Sequence, residues 1–112
     1  MSTDIKIIKG ALIINDGKSV YADLMIKGDR IEKIAPNIQI NTRHEEINGE
    51  DRWLIPGIID DQVHFREPGW THKADIASES KAAAAGGVTS FMEMPNTVPP
   101  TLSQELLQAK YD

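Results

Sequence analysis

The sequence predicts an α/β chain in two parts, an all-β part over residues 1–54 and two successive β/α units over residues 55–112. Three observations carry this. Short apolar runs broken by Asn, Asp and Gly turn chemistry fill the first part. Two nearly continuous apolar stretches, separated by an alanine-rich one, fill the second. The length of 112 residues falls far short of a complete eight-fold β/α barrel, which needs roughly 250, so any barrel here is partial.

In the all-β part, Ile5, Ile7 and Ile8 lead to Gly10, and residues 11–14 make a second apolar run. Asn15-Asp16-Gly17-Lys18 tolerates φ > 0 and predicts a tight turn. Val20, Ala22, Leu24 and Ile26 then alternate with Tyr21, Asp23 and Met25, the period-2 pattern of a strand with one buried face. Gly28-Asp29 turns the chain into a strand over residues 31–35, which Pro36 ends because it cannot donate to a ladder. The polar stretch Asn41-Thr42-Arg43-His44-Glu45-Glu46 leads to Ile47, a turn at Asn48-Gly49 and a last strand over 53–55. About five strands in meander order are expected.

In the second part, residues 54–59 form an apolar run suited to a strand covered on both faces. A polar loop is expected from 60 to about 73. Residues 74–85 are good helix formers stopped by Gly86-Gly87, and Ala82 to Ala85 give that helix a small face for close approach to a sheet. Residues 88–94 form a second apolar strand before Pro95. Thr101 with Gln104 resembles a capping box opening a helix over 102–111. Two β/α units in a row imply parallel strands and a right-handed crossover. Two parallel strands leave an open sheet edge, so the chain is expected to be the N-terminal piece of a longer protein, with the rest of its own barrel as its partner.

Composition narrows the function classes. Net charge is −5, from 12 Lys+Arg against 17 Asp+Glu, with no basic run, which argues against nucleic acid or an anionic membrane as partner. There is no Cys, which excludes disulfides, Cys-ligated zinc and a Cys nucleophile. The N-terminus carries no basic start followed by a long apolar run, so neither a signal peptide nor a membrane span is read there, and a cytoplasmic protein is expected.

The densest polar cluster, Asp60-Asp61-Gln62-Val63-His64-Phe65-Arg66-Glu67-Pro68-Gly69, follows the first expected parallel strand. Catalytic groups of β/α barrels sit at that end of the strand. On an extended segment Asp60, Gln62, His64 and Arg66 would line one side, offering two metal ligands and one anion receptor to a single cavity.

Pro56-Gly57-Ile58-Ile59 running into this cluster resembles the first metal motif of the amidohydrolase superfamily, D-x-H-x-H, and its Arg66-Glu67-Pro68-Gly69 extension is similar to that of dihydroorotases. The stretch from Ala82 to Thr97, ending Met94-Pro95-Asn96-Thr97, resembles the dihydroorotase stretch ending M-P-N-T. The all-β part resembles the start of the small β-sandwich that flanks the barrel in this superfamily. The resemblance therefore implies the first two units of a TIM-like (β/α)8 metal-dependent hydrolase, preceded by part of a β-sandwich. It also implies a small-molecule substrate, since dihydroorotases interconvert carbamoyl aspartate and dihydroorotate in pyrimidine biosynthesis. Oligomeric state stays open, a homo-oligomer included.

Residue by residue, His64 matches the second His of the metal motif, and a neutral imidazole suits a zinc-type ion. Arg66 matches the family arginine that holds the substrate carboxylate, which its planar fork suits. Asn96 matches the asparagine that shares that carboxylate, and Asp60 the family Asp, which can orient a ligand. Gln62 stands where the family has the first His. Three readings follow: Gln62 ligates through its side-chain oxygen, one zinc of the usual pair is weak or absent, or the protein is a non-catalytic homologue acting as a scaffold or partner subunit. The first two keep the enzyme, with one or two zinc ions, and the paired receptor residues Arg66 and Asn96 favour them. Allantoinases, a neighbouring group, tend to lack the arginine. The resemblance puts the bridging carboxylated lysine, two further histidines and the catalytic aspartate beyond Asp112, so no catalytic residue is expected within these residues and the isolated piece is expected to be inactive.

Other residues have plainer readings. Asp61 and Glu67 are expected to be loop charges, and His72 and Lys73 solvated or helix-capping groups. His44 is expected to be exposed, and Trp53 and Trp70 to pack. Glu93 lies within an otherwise apolar strand and calls for a partner that the sequence does not name.

Overall fold

The computed structural model describes residues 4–112. These residues divide into two compact units, 4–56 and 57–112.

The first unit is a five-stranded sheet of β1 (Ile5–Asn15), β2 (Lys18–Lys27), β3 (Arg30–Ala35), β4 (Glu45–Asn48) and β5 (Trp53–Leu54). The two apolar runs expected on either side of Gly10 are one strand. Gly10 takes φ 70 at the register shift between Ile8 and Ala11, so the ladder to β2 resumes after a bulge instead of ending. Asp16 and Gly17, with φ of 49 and 69, form the two-residue loop between Asn15 and Lys18. Both central residues at φ > 0 match the twist of a hairpin.

The meander expected for all five strands stops at β3. β1, β2 and β3 pair antiparallel in sequence order, but β4 and β5 both pair parallel with β1. Parallel pairing needs a connection longer than a hairpin turn, and residues 36–44 supply it. Ile38 anchors that connection at 3% exposure. Ile13, Ala22 and Leu24 form the core, with Ile8, Ile26 and Leu54 packed against it. Val20, expected on the buried face, is 52% exposed, and Trp53, expected to pack, is 75% exposed.

The second unit holds β6 (Ile58–Val63), α1 (Ile76–Ala85), β7 (Val88–Glu93) and α2 (Gln104–Tyr111). β6 and β7 pair parallel. β6 runs four residues further than expected, through Asp60, Asp61 and Gln62, because a ladder is made by the backbone and tolerates polar side chains. The amide of Ile58 donates to Gly87 at 3.1 Å at one end, and the amide of Met94 donates to Val63 at 3.0 Å at the other. Val63 and Phe65 are buried, and Phe65 meets Phe91 of β7 edge-to-face at 4.6 Å between centroids.

Both helices begin two residues later than expected. Asp75 caps α1 by accepting from the Ser78 amide at 2.6 Å, in a reciprocal capping box. Glu67 accepts the Ile76 amide at 2.8 Å, so it secures a free N–H of the first turn and is not a mere loop charge. Ser103, not Thr101, caps α2, accepting from the Leu106 amide. Thr101 instead pairs its hydroxyl with that of buried Thr97 at 2.9 Å. Among the described residues no helix is long and apolar enough to cross a membrane.

Candidate active site

The polar cluster straddles the end of β6. Val63 and Phe65 turn inward while Gln62 and His64 are exposed, as the pleat requires. Asp60 folds its carboxylate back onto the strand and accepts the Gln62 amide at 3.1 Å, which fixes the backbone that carries Gln62.

The alternation ends at Arg66. Its φ of 71 places it in the left-handed region, so it leaves the extended line that would align it with Gln62 and His64. Two contacts hold this backbone. The Arg66 amide donates to Glu93 Oε1 at 3.2 Å, and its carbonyl accepts the Trp70 amide at 3.0 Å. Glu93 is the acid embedded in the apolar strand β7. Its missing partner is Lys110 of α2, which bonds Oε2, and both side chains are only 10% exposed.

Asn96, in the loop after β7, reaches His64. Nδ1 of the imidazole lies 3.0 Å from Asn96 Oδ1. An amide oxygen cannot donate, so the ring donates from Nδ1, and in the neutral ring the lone pair is then on Nε2. Histidines that hold metals are oriented in this way, by an oxygen acceptor on the second nitrogen. The two N–H groups of Asn96 Nδ2 remain for another acceptor. The two motifs read separately in the sequence are thus joined through His64 and Asn96.

Toward a metal, these residues fit part of a site. His64 offers Nε2 and Gln62 an amide oxygen, a neutral and weaker donor than imidazole. Among the described residues no three His, Asp or Glu converge on one point, whereas zinc sites take about four donors. Replacing Gln62 with histidine is therefore expected to raise the zinc content of the whole protein, measured by elemental analysis after dialysis. Equal metal content in both proteins would remove the role assigned to Gln62.

The aromatic groups nearby do not join this cluster. The rings of Trp70 and His72 lie 5.7 Å apart, and Lys73 Nζ sits 5.5 Å from the Trp70 ring centroid, a cation–π contact on the surface. His44 is partly buried in the first unit, not exposed, with Nδ1 2.7 Å from the Thr42 carbonyl and Nε2 3.3 Å from Glu46. Sequence reasoning missed the Glu93–Lys110 pair and its grip on Arg66. The signal was an isolated acid in an apolar strand followed by an isolated lysine in the last turn of the next helix.

A family model described as Dihydro-orotase-like matches residues 51–111, over half of the chain and all of the cluster above. A dihydroorotase of Carboxydothermus hydrogenoformans is 48% identical over 89 residues, covering 80% of this chain and 20% of the relative. A dihydroorotase of Staphylococcus aureus is 38% identical over 104 residues, covering 93% and 24%. The chain thus spans about a fifth to a quarter of the length of these relatives. Among solved structures, an L-hydantoinase (dihydropyrimidinase) from Arthrobacter aurescens superposes with a TM-score of 0.87 at 24% identity, over 96% of this chain and 24% of that one, a likeness of fold.

Proposed function

The chain belongs to the dihydroorotase-like family, and from that premise we propose that it supplies the substrate-carboxylate receptor and part of the metal site of a zinc-dependent dihydroorotase. The whole protein would reversibly interconvert N-carbamoyl-L-aspartate and (S)-dihydroorotate, a ring closure of de novo pyrimidine biosynthesis, in the cytoplasm. On this reading the second unit is the first two β/α units of a (β/α)8 barrel, and the first unit is part of a flanking β-sandwich. The observation that carries the proposal is the His64–Asn96 bond inside the matched region, because it unites a metal-type histidine with a carboxylate-type amide.

A zinc-type ion, when bound, lowers the pKa of a coordinated water and polarises a carbonyl. His64 would hold such an ion through Nε2 and Gln62 through its amide oxygen. Arg66 would take the substrate carboxylate with two parallel N–H···O bonds, and Asn96 would add a donor from Nδ2 while orienting His64 through Oδ1. The ring amide opposite that carboxylate is then held in one orientation, and the entropy of alignment is met on binding.

One observation favours a second reading, a non-catalytic scaffold. Gln62 replaces the family histidine and weakens the ligand set. Dihydroorotate hydrolysis by the whole protein with added zinc separates the two. Turnover is expected, with none from residues 1–112 alone. No turnover from a folded, zinc-loaded whole protein would overturn the enzyme reading.

A further inference from the structure

We propose that Glu93 is a positioning residue for Arg66, and that its pairing with Lys110 ties the substrate-anchoring arginine to helix α2. The inference rests on the role of Arg66 proposed above and adds a mechanism for how that role is achieved. Three observations support it. Among the described residues, Arg66 is one of three non-glycine residues at φ > 0, a region L-residues avoid because Cβ crowds the following carbonyl. Such backbone persists only where neighbours over-determine it. The Glu93 carboxylate supplies that constraint, accepting the Arg66 amide with Oε1 while Lys110 takes Oε2. The acid is otherwise hard to explain. It sits 10% exposed in a strand whose sequence is Val-Thr-Ser-Phe-Met-Glu, and a buried ion pair rarely repays its desolvation as stability alone.

The two oxygens have separable duties. Lys110 neutralises the carboxylate at Oε2, and Oε1 fixes the Arg66 backbone. Loss of Oε1 frees Arg66 to relax toward ordinary φ, which swings Cβ and the guanidinium away from the carboxylate it would hold. Loss of the charge alone, with an oxygen kept in place, leaves Arg66 where it is.

A double-mutant cycle on the whole protein tests this, with KM and kcat for dihydroorotate as readouts. Glu93→Met combined with Lys110→Met removes the pair without stranding a buried charge. It is expected to raise KM about tenfold, since small misplacements of positioning groups cost one to two decades, with kcat changed less. Glu93→Gln combined with Lys110→Met retains an oxygen for the Arg66 amide and is expected to stay within about twofold of the parent. In an Arg66→Ala background the Glu93→Met/Lys110→Met change is expected to have no further effect on KM, because groups acting through one another are non-additive. Additive effects, or equal KM for the glutamine and methionine versions, would overturn the proposal. The two readings fail separately. Unchanged KM in Arg66→Ala itself would remove the carboxylate-receptor reading. A raised KM there with parental KM in Glu93→Met/Lys110→Met would remove only the role of Glu93.

Discussion

Arg66→Ala in the whole protein is expected to lower kcat/KM for dihydroorotate by about a hundredfold. A planar guanidinium takes a carboxylate through two charge-assisted bonds. Each such bond contributes about 1.5–3 kcal/mol, and about 3 kcal/mol in total corresponds to roughly two decades. The substitution is a clean one for this backbone. Arginine and alanine both carry a Cβ, so the cost of φ 71 is the same in both proteins and only the guanidinium is lost. Arg66→Lys restores charge without the fork and is expected to recover part of the loss. A cyclic ureide that lacks the carboxylate supplies the control, since its turnover should barely change. Equal losses for both rings would mean that Arg66 supports the fold and does not read the carboxylate.

How much of this was legible in the sequence differs between the two units. The hairpins of the first were, because Asn15-Asp16-Gly17 and Gly28-Asp29 carry their own conformational preference. The parallel seating of β4 and β5 on β1 was not, because strand order depends on where residues 36–44 are anchored and no local pattern encodes a long-range anchor. In the second unit the length of β6 was misjudged because Asp60, Asp61 and Gln62 read as loop by polarity, while the ladder is decided by backbone pairing with β7. At the candidate site the residue types were legible and one alignment was not. Alternation correctly set Gln62 and His64 apart from Val63 and Phe65. It failed at Arg66, whose left-handed backbone depends on an acid 27 residues away. The pairing of His64 with Asn96 was equally invisible, since a loop histidine and a loop asparagine declare no partner until β6 and β7 are laid side by side.

Asp23 is another failure of the alternating pattern, and the largest stability effect is expected there. The pattern sets it outward with Tyr21 and Met25, yet it is 3% exposed. Its Oδ1 accepts the Gly10 amide at 2.8 Å. Its Oδ2 accepts the Ile38 amide at 2.8 Å and Lys9 Nζ at 2.5 Å. The carboxylate thus joins the bulge of β1 to the connection that leads to β4. Asp23→Ala leaves two backbone N–H groups without their acceptor and Lys9 without its counter-ion, and is expected to cost the first unit about 3 kcal/mol. In hydrogen exchange, the Gly10 and Ile38 amides should lose about a hundredfold of protection, the equivalent of that energy. The pH dependence has a definite sign. Burial pushes the carboxyl pKa up, but bonds from Lys9, Ile38 and Gly10, together with the Lys9 charge, outweigh it and hold the pKa below the ordinary 3.8. A depressed folded pKa means that the stabilisation is complete above about pH 4 and is lost as pH falls through the folded value. The difference between parent and Asp23→Ala should therefore be constant from pH 7 down to about 5 and shrink below 3.8. A difference that stays fixed into acid would mean that the geometry of these bonds, and not the charge on Asp23, holds the connection in place.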